Sequence, residues 1–173
     1  MADGNNTSSA TETPASPPNG MRELLIERIF EAPRSLVFKV WTQPRHIMQW
    51  WGPKDFTVPL CQMDFRTGGA YRACIVSPEG KQYVMRGVYR EIVEPERIVF
   101  TFAWEETGER GMQTLITVDL AEVDGGTRLR FHQAPFQSAS ECDGHLLGWN
   151  QAFDRLQAHF ARLGNESRLM ERL

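Results

Sequence analysis

Residues 143–164 read DGHLLGWNQAFDRLQAHFARLG. Leu146, Trp149, Phe153, Leu156, Phe160 and Leu163 recur in this stretch at spacings of three and four. At about 3.6 residues per turn they form one apolar stripe roughly five turns long. Asp143 is suited to cap the first turn, and Gly164 to stop the helix after Leu163. A helix this bulky along one face needs a wide apolar surface to cover it.

That surface is written upstream. From about residue 56 to 134, apolar alternating runs are separated by turn-forming clusters. These are Thr67-Gly68-Gly69, Pro78-Glu79-Gly80, Glu94-Pro95-Glu96, Glu105 through Gly111, and Asp124-Gly125-Gly126. Six strands so spaced, joined by short turns, pair in sequence as an antiparallel meander. Residues 22–31, RELLIERIFE, read as a first strand that completes a seven-stranded sheet. Ala32-Pro33 then opens a helix, with Pro33 at its first position and Leu36, Val37, Val40 and Trp41 on one face. Pro44 interrupts it. A short second helix carries Ile47, Met48 and Trp50, and Gly52-Pro53 ends that unit. The fold class is α+β: a curved seven-stranded antiparallel sheet around a long C-terminal helix, with two short helices after strand 1.

Hydrophobic parity sets the hairpin registers. Cys61, Met63 and Phe65 share one face, and Tyr71, Ala73 and Ile75 share another. A two-residue turn would pair Phe65 with Ala70 and place the two sets on opposite faces. A three-residue Thr67-Gly68-Gly69 loop pairs Phe65 with Tyr71, puts both sets inside and separates Cys61 from Cys74. The same reasoning at Pro78-Glu79-Gly80 pairs Ile75 with Tyr83 and Tyr71 with Gly87. Tyr83, Met85 and Tyr89 then point inward, an aromatic ring covers the bare glycine, and Val84 and Val88 face outward. Ile98, Phe100, Phe102 and Trp104 alternate cleanly, as do Ile116, Val118 and Leu120, and then Leu129 and Phe131.

At 173 residues, 41% hydrophobic and 24% charged, the chain suits one globular domain with a substantial core. A net charge of −3 and a pI near 5.8 argue against binding nucleic acid by phosphate neutralisation. No apolar run approaches the roughly 20 residues that span a membrane, so no membrane insertion is expected. Residues 1–20 lack Val, Ile, Leu, Phe, Tyr and Trp and read as a disordered tail without a secretory signal. The domain is expected over 21–164, with 165–173 a C-terminal tail. Cys61, Cys74 and Cys142 have no metal-ligand spacing and read as reduced thiols of a cytoplasmic protein. No metal and no cofactor are expected.

Taken together these residues resemble a known family. The marks are IERIFEAPRSLVFKVWTQP, QWWGP, MDFRTGGAYR, GVYREIVEPERIVFTF, GGTRLRF and GWNQAFDRL, in order along nearly the whole stretch from Arg22 to Leu163. The sequence is similar to the activator of heat-shock-protein-90 ATPase homologue family, C-terminal-domain-like, within the START-like (SRPBCC) superfamily. The resemblance implies a helix-grip fold with an internal cavity. It brings no universal catalytic motif, so no catalytic residue is carried over, and one fold hosts many activities.

A bent sheet around a straight helix leaves space that side chains do not fill everywhere, and such apolar spaces are where small ligands bind. The expected walls are Phe65, Tyr71, Tyr83, Met85, Tyr89, Phe102, Trp104, Phe131, Trp149 and Phe153. The tyrosines and tryptophans each keep a polar handle for orienting a guest. Trp50 and Trp51 could form a lid or a packing plug. Adjacent on a helix, they cannot both face inward, so one is expected to be partly exposed. His132 should face outward and His145 should stand near the cavity mouth. His46 and His159 read as surface residues. Asp64 and Arg66 face away from the core, with Arg72 or Arg86 as their expected ionic partners, and Glu105, Glu106 and Glu109 read as a solvated hairpin tip. The leading functional reading is an uncharacterised START-like protein that binds a small hydrophobic or aromatic molecule. A cyclase, dehydratase or hydrolase would need an inward ionisable group such as His145 or Arg86. A protein-interaction or chaperone-associated module would need an exposed apolar patch.

Overall fold

The computed structural model describes residues 20–106 and 111–173. Nearly all of the expected N-terminal tail, and Glu109 of the acidic loop, lie outside the described residues. The chain runs β1 (Arg22–Phe30), α1 (Arg34–Lys39), α2 (Pro44–Trp50), β2 (Thr57–Met63), β3 (Ala70–Val76) and β4 (Gln82–Val93). It continues through β5 (Arg97–Trp104), β6 (Thr114–Val123), β7 (Gly126–Phe136) and α3 (Ala139–Met170). One seven-stranded antiparallel sheet has the order β1-β7-β6-β5-β4-β3-β2, so the meander is sequential and β1 closes on β7. Register shifts in β1, β2 and β4 add local bend to the strands. No helix of the described residues is long and apolar enough to cross a membrane.

Parity places the inner residues as the alternation required. Ile75 pairs with Tyr83 and Tyr71 with Gly87. Gly87 is obligatory there: a Cβ would stand 1.9 Å from Thr101 O and 2.5 Å from the Tyr71 ring. The uncovered backbone lets Tyr71 Oη donate to Thr101 O at 2.7 Å. In the β2–β3 hairpin the register differs by two from expectation. Met63, not Phe65, stands opposite Tyr71, and Cys61 stands opposite Ala73. A shift of two keeps every side chain on its face. The loop widens because Asp64 N bonds Ala70 O while Gly68 N and Gly69 O bond Tyr89.

The C-terminal helix is longer at both ends than its apolar stripe. Ser138, not Asp143, is the N-cap, accepting from Glu141 N at 3.2 Å. Gly164 does not stop the helix. It has no left-handed backbone, and the helix continues through Glu166, Arg168 and Leu169 to Met170. The buried face is Cys142, Trp149, Ala152, Phe153, Leu156, His159 and Phe160. Leu146 lies off it, at 36% exposure, although it stands seven residues, about two turns, before Phe153. Pro33 caps α1 from outside rather than occupying its first turn.

Two surface expectations are corrected. Asp64 pairs with Arg66 itself at 2.8 Å, two residues along the same loop. Arg72 instead makes a bidentate contact with Glu105 at 2.7 and 2.9 Å. That pair holds Glu105 below the usual carboxylate range, chiefly through the hydrogen bond from Arg72.

Candidate functional site

The first half of α3 stands away from β3, β4 and β5, and a cavity of about 400 Å³ lies between them. One wall is aromatic, with one thioether: Phe56, Tyr83, Met85, Phe102 and Trp104. The opposite wall is helix. Ser140, Gly144, Gly148 and Ala152 recur every four residues, so the α3 backbone itself lines the space. Trp149 closes one side and the Trp51-Gly52-Pro53 segment another. A cavity of this size falls within the usual range for small-molecule sites.

The expected wall residues divide into three groups. Tyr83, Met85, Phe102, Trp104 and Trp149 line the cavity. Phe131 and Phe153 are fully buried behind Trp149, with ring centroids 4.6 and 5.9 Å from it. Phe65, Tyr71 and Tyr89 cluster at the far end of the sheet, Phe65 against Tyr89 at 4.9 Å and Tyr71 against Phe100 at 5.6 Å. The void near that cluster is only about 20 Å³, room for one water. The inward set is therefore split into a packed end and an open end.

Both tryptophans of the WWGP element are buried, contrary to expectation: Trp50 is 0% exposed and Trp51 6%. The helix ends between them. Trp51 has extended backbone (φ −66, ψ 141), which turns its ring back inside. Trp50 packs in the core and donates to Val40 O at 3.2 Å. Trp51 forms cavity wall, and its Nε1 reaches Met85 Sδ at 3.0 Å.

A buried polar relay fixes the Trp149 wall. Trp149 Nε1 donates to Gln133 Oε1 at 2.9 Å, Gln133 Nε2 donates to Thr114 Oγ1 at 2.9 Å, and Thr114 Oγ1 donates to Phe102 O at 3.3 Å. Gln133 is 0% exposed. Its place two residues beyond Phe131 on the inner face was the only clue to it in the sequence.

Two ionisable side chains of α3 line the cavity. His145 Nε2 accepts from Trp104 Nε1 at 3.1 Å and lies 3.8 Å from Glu141 Oε2. An indole only donates, so neutral His145 carries its proton on Nδ1. His145 lines the cavity. His132 is on the outer face with exposed Leu25, bonded to Glu23 at 2.7 Å. Arg86 is exposed and does not reach the cavity.

His46 and His159 are not surface residues. They are buried, and His46 Nδ1 meets His159 Nε2 at 3.0 Å, joining α2 to α3. Desolvation is the main cause that lowers both, with Arg45 and Lys39 adding for His46, and His46 and Arg162 adding for His159, which is pushed down to about 4. No group of three or more His, Cys, Asp or Glu is placed to hold a metal among the described residues. Burial pushes the Cys61 thiol up to about 11, so it is a poor nucleophile.

A bent antiparallel sheet gripping a C-terminal helix, with a hollow between them, defines the START-like helix-grip class. Within that class, the chain belongs to the family described as activator of Hsp90 ATPase homolog 1-like protein, whose model matches residues 31–161. A crystal structure of a Chromobacterium violaceum protein is similar at 28% identity and a TM-score of 0.74, covering 79% of this chain and 94% of that one. A Rhizobium leguminosarum protein titled putative uncharacterized is similar at 26% identity and a TM-score of 0.71, covering 82% and 95%. A Silicibacter pomeroyi structure titled as a protein of this family is similar at 25% identity and a TM-score of 0.71, covering 81% and 98%. No curated protein matches the chain.

Proposed function

We propose that the protein binds a small hydrophobic or aromatic molecule between α3 and the β3–β5 end of the sheet. The observation that carries this reading is the 400 Å³ cavity, walled by rings on one side and by side-chain-poor helix on the other. The wall rings are inclined to one another, Phe102 to Trp104 at 90° and Tyr83 to Trp104 at 65°, so they offer both faces and edges to an aromatic or apolar guest. Ser140, Glu141, His145 and the Tyr83 hydroxyl supply the polar tips that orient it. Three thiols without a disulfide fit a reducing, cytoplasmic setting.

Titration with the neutral probe N-phenyl-1-naphthylamine, followed by the indole N–H resonances of the five tryptophans, tests it. Binding in the cavity shifts Trp51, Trp104 and Trp149 while leaving Trp50 nearly fixed. Saturable binding that leaves those three unmoved, or no binding by the probe or a panel of aromatic and acyl compounds, would end the proposal.

Glu141 and His145 in the cavity lining favour one second reading, an enzyme of the cyclase, dehydratase or hydrolase type using the same space. Mass spectrometry of bound compounds after incubation separates the two. A binding protein returns them unchanged. A His145-dependent product supports the enzyme.

A further inference from the structure

Three consecutive carbonyls converge on one nitrogen beside the cavity. Arg155 Nη1 donates to Trp51 O at 2.8 Å, Gly52 O at 3.1 Å and Pro53 O at 3.1 Å. An extended strand points successive carbonyls to opposite sides. Here Gly52, at φ +90, reverses the chain so that all three face the helix. A side chain at 52 would be strained and would press on Ile75 at 3.3 Å. One turn earlier on α3, Gln151 Oε1 accepts from Lys54 N at 3.1 Å. Two side chains of α3 therefore hold the loop that follows α2. The guanidinium is half-buried, and burial, its largest influence, pulls its pKa below the usual arginine range; Asp55 opposes that through space and Arg162 adds to it. Its hydrogen bonds go to neutral carbonyls, which is the arrangement of a cation seated in a carbonyl niche.

Trp51, Gly52 and Pro53 all line the cavity, whereas Arg155 does not. Trp51 in turn touches Trp149 at 4.9 Å and Met85 at 3.0 Å. We infer that Arg155 is the positioning residue of the ligand cavity: its guanidinium organises the Trp51–Pro53 carbonyls and so fixes the wall on which a guest packs. This rests on the ligand-binding reading and adds to it a specific, separable dependence. The wall is a fixed surface, and a guanidinium ion from solution fits the same carbonyl niche when the side chain is removed.

Chemical rescue tests the inference. Arg155→Ala is compared with wild type for N-phenyl-1-naphthylamine affinity, with and without millimolar, non-denaturing guanidinium chloride. Amide exchange at Lys54 and Phe56 is measured alongside. The expected result is about a tenfold or larger loss of affinity, faster exchange at both amides, and recovery of both by guanidinium but not by equal sodium chloride. Wild-type-like affinity and exchange in Arg155→Ala overturn the inference, as does a loss that guanidinium fails to restore. If Arg155→Ala does not fold, Gly52→Ala carries the test, because it scatters the carbonyls and leaves α3 intact. Unchanged exchange at Lys54 and Phe56 in that variant would count equally against the niche. Failure of wild type to bind any probe removes the ligand-binding reading, while the exchange measurements still decide the positioning role.

Discussion

His46 and His159 share a hydrogen bond inside a shell of cations: Lys39 on α1, Arg45 on α2 and Arg162 on α3. Beyond the pair, Arg162 stands 3.5 Å from His159 Nδ1, and His46 Nε2 is buried without a hydrogen-bond partner. A proton added here meets burial and like charge together. The folded-state values lie below the ordinary 6.5, to about 4 for His159, so the unfolded chain binds more protons as pH falls. Stability from the neutral pair is complete above pH 6.5 and drains away between there and about 4. Urea midpoints measured from pH 7 to 5, above most carboxylate titration, should therefore fall for wild type. They should fall distinctly less for the double variant His46→Leu/His159→Leu. Parallel slopes would show the pair to be inert. Gln133 makes the complementary case, a buried polar group fully satisfied on both sides. Gln133→Leu leaves the Trp149 N–H without its acceptor, and denaturant unfolding should show a loss of about 1–3 kcal/mol. Neither feature was legible beforehand. Both rest on polar side chains meeting across elements, and alternation of apolar residues says nothing about which polar groups pair.

At the scale of elements, the apolar stripe of α3 was readable because it follows from helix geometry alone. Its ends were not, because capping depends on backbone conformation. Ser138 won over Asp143 since Glu141 N lies within reach of its side chain. Gly164 was read as a stop, yet glycine only permits a left-handed turn and does not impose one. In the structure it sits inside a 32-residue helix with open space around its Cα. That makes it a position where glycine costs stability and returns nothing. Gly164→Ala should raise stability by about 0.5–1 kcal/mol, read as a higher thermal midpoint with unchanged far-ultraviolet dichroism. A decrease would mean that the helix beyond Leu163 is not a stable part of the fold. The hairpin registers illustrate the same division. Tyr71 opposite Gly87 was fixed by a tight turn and confirmed by sterics. The β2–β3 offset depended on loop hydrogen bonds to Tyr89, a residue two strands away.

Across the whole molecule, α3 packs on β1, β7 and α2 and leaves β3–β5 uncovered along its first half. The aromatic set expected to wall a cavity was legible as inward-facing. Which half of it packs and which half stays open was not, because that is decided on the helix, by what is missing. Where α3 presents Trp149, Phe153, Leu156 and Phe160, the space is filled. Where it presents Ser140, Gly144, Gly148 and Ala152, the cavity lies between the helix and the facing rings. Gly144 has no atom within 4 Å of a notional Cβ, and Gly148 meets only Pro53, at an ordinary 3.7 Å. Glycine is therefore not required at either position by helix packing, and each costs roughly 1 kcal/mol against alanine in a helix interior. The hollow is thus kept open at a cost in stability. Gly148→Leu places a branched side chain at a cavity-lining position beside Pro53, gains helix propensity and buries apolar surface in the cavity. Such a variant should unfold at the same or a higher temperature than wild type and yet lose N-phenyl-1-naphthylamine binding at least about tenfold. Retained affinity would show that the guest lies elsewhere. A large fall in thermal midpoint would show that the cavity is smaller in solution than the 400 Å³ on which the binding role rests.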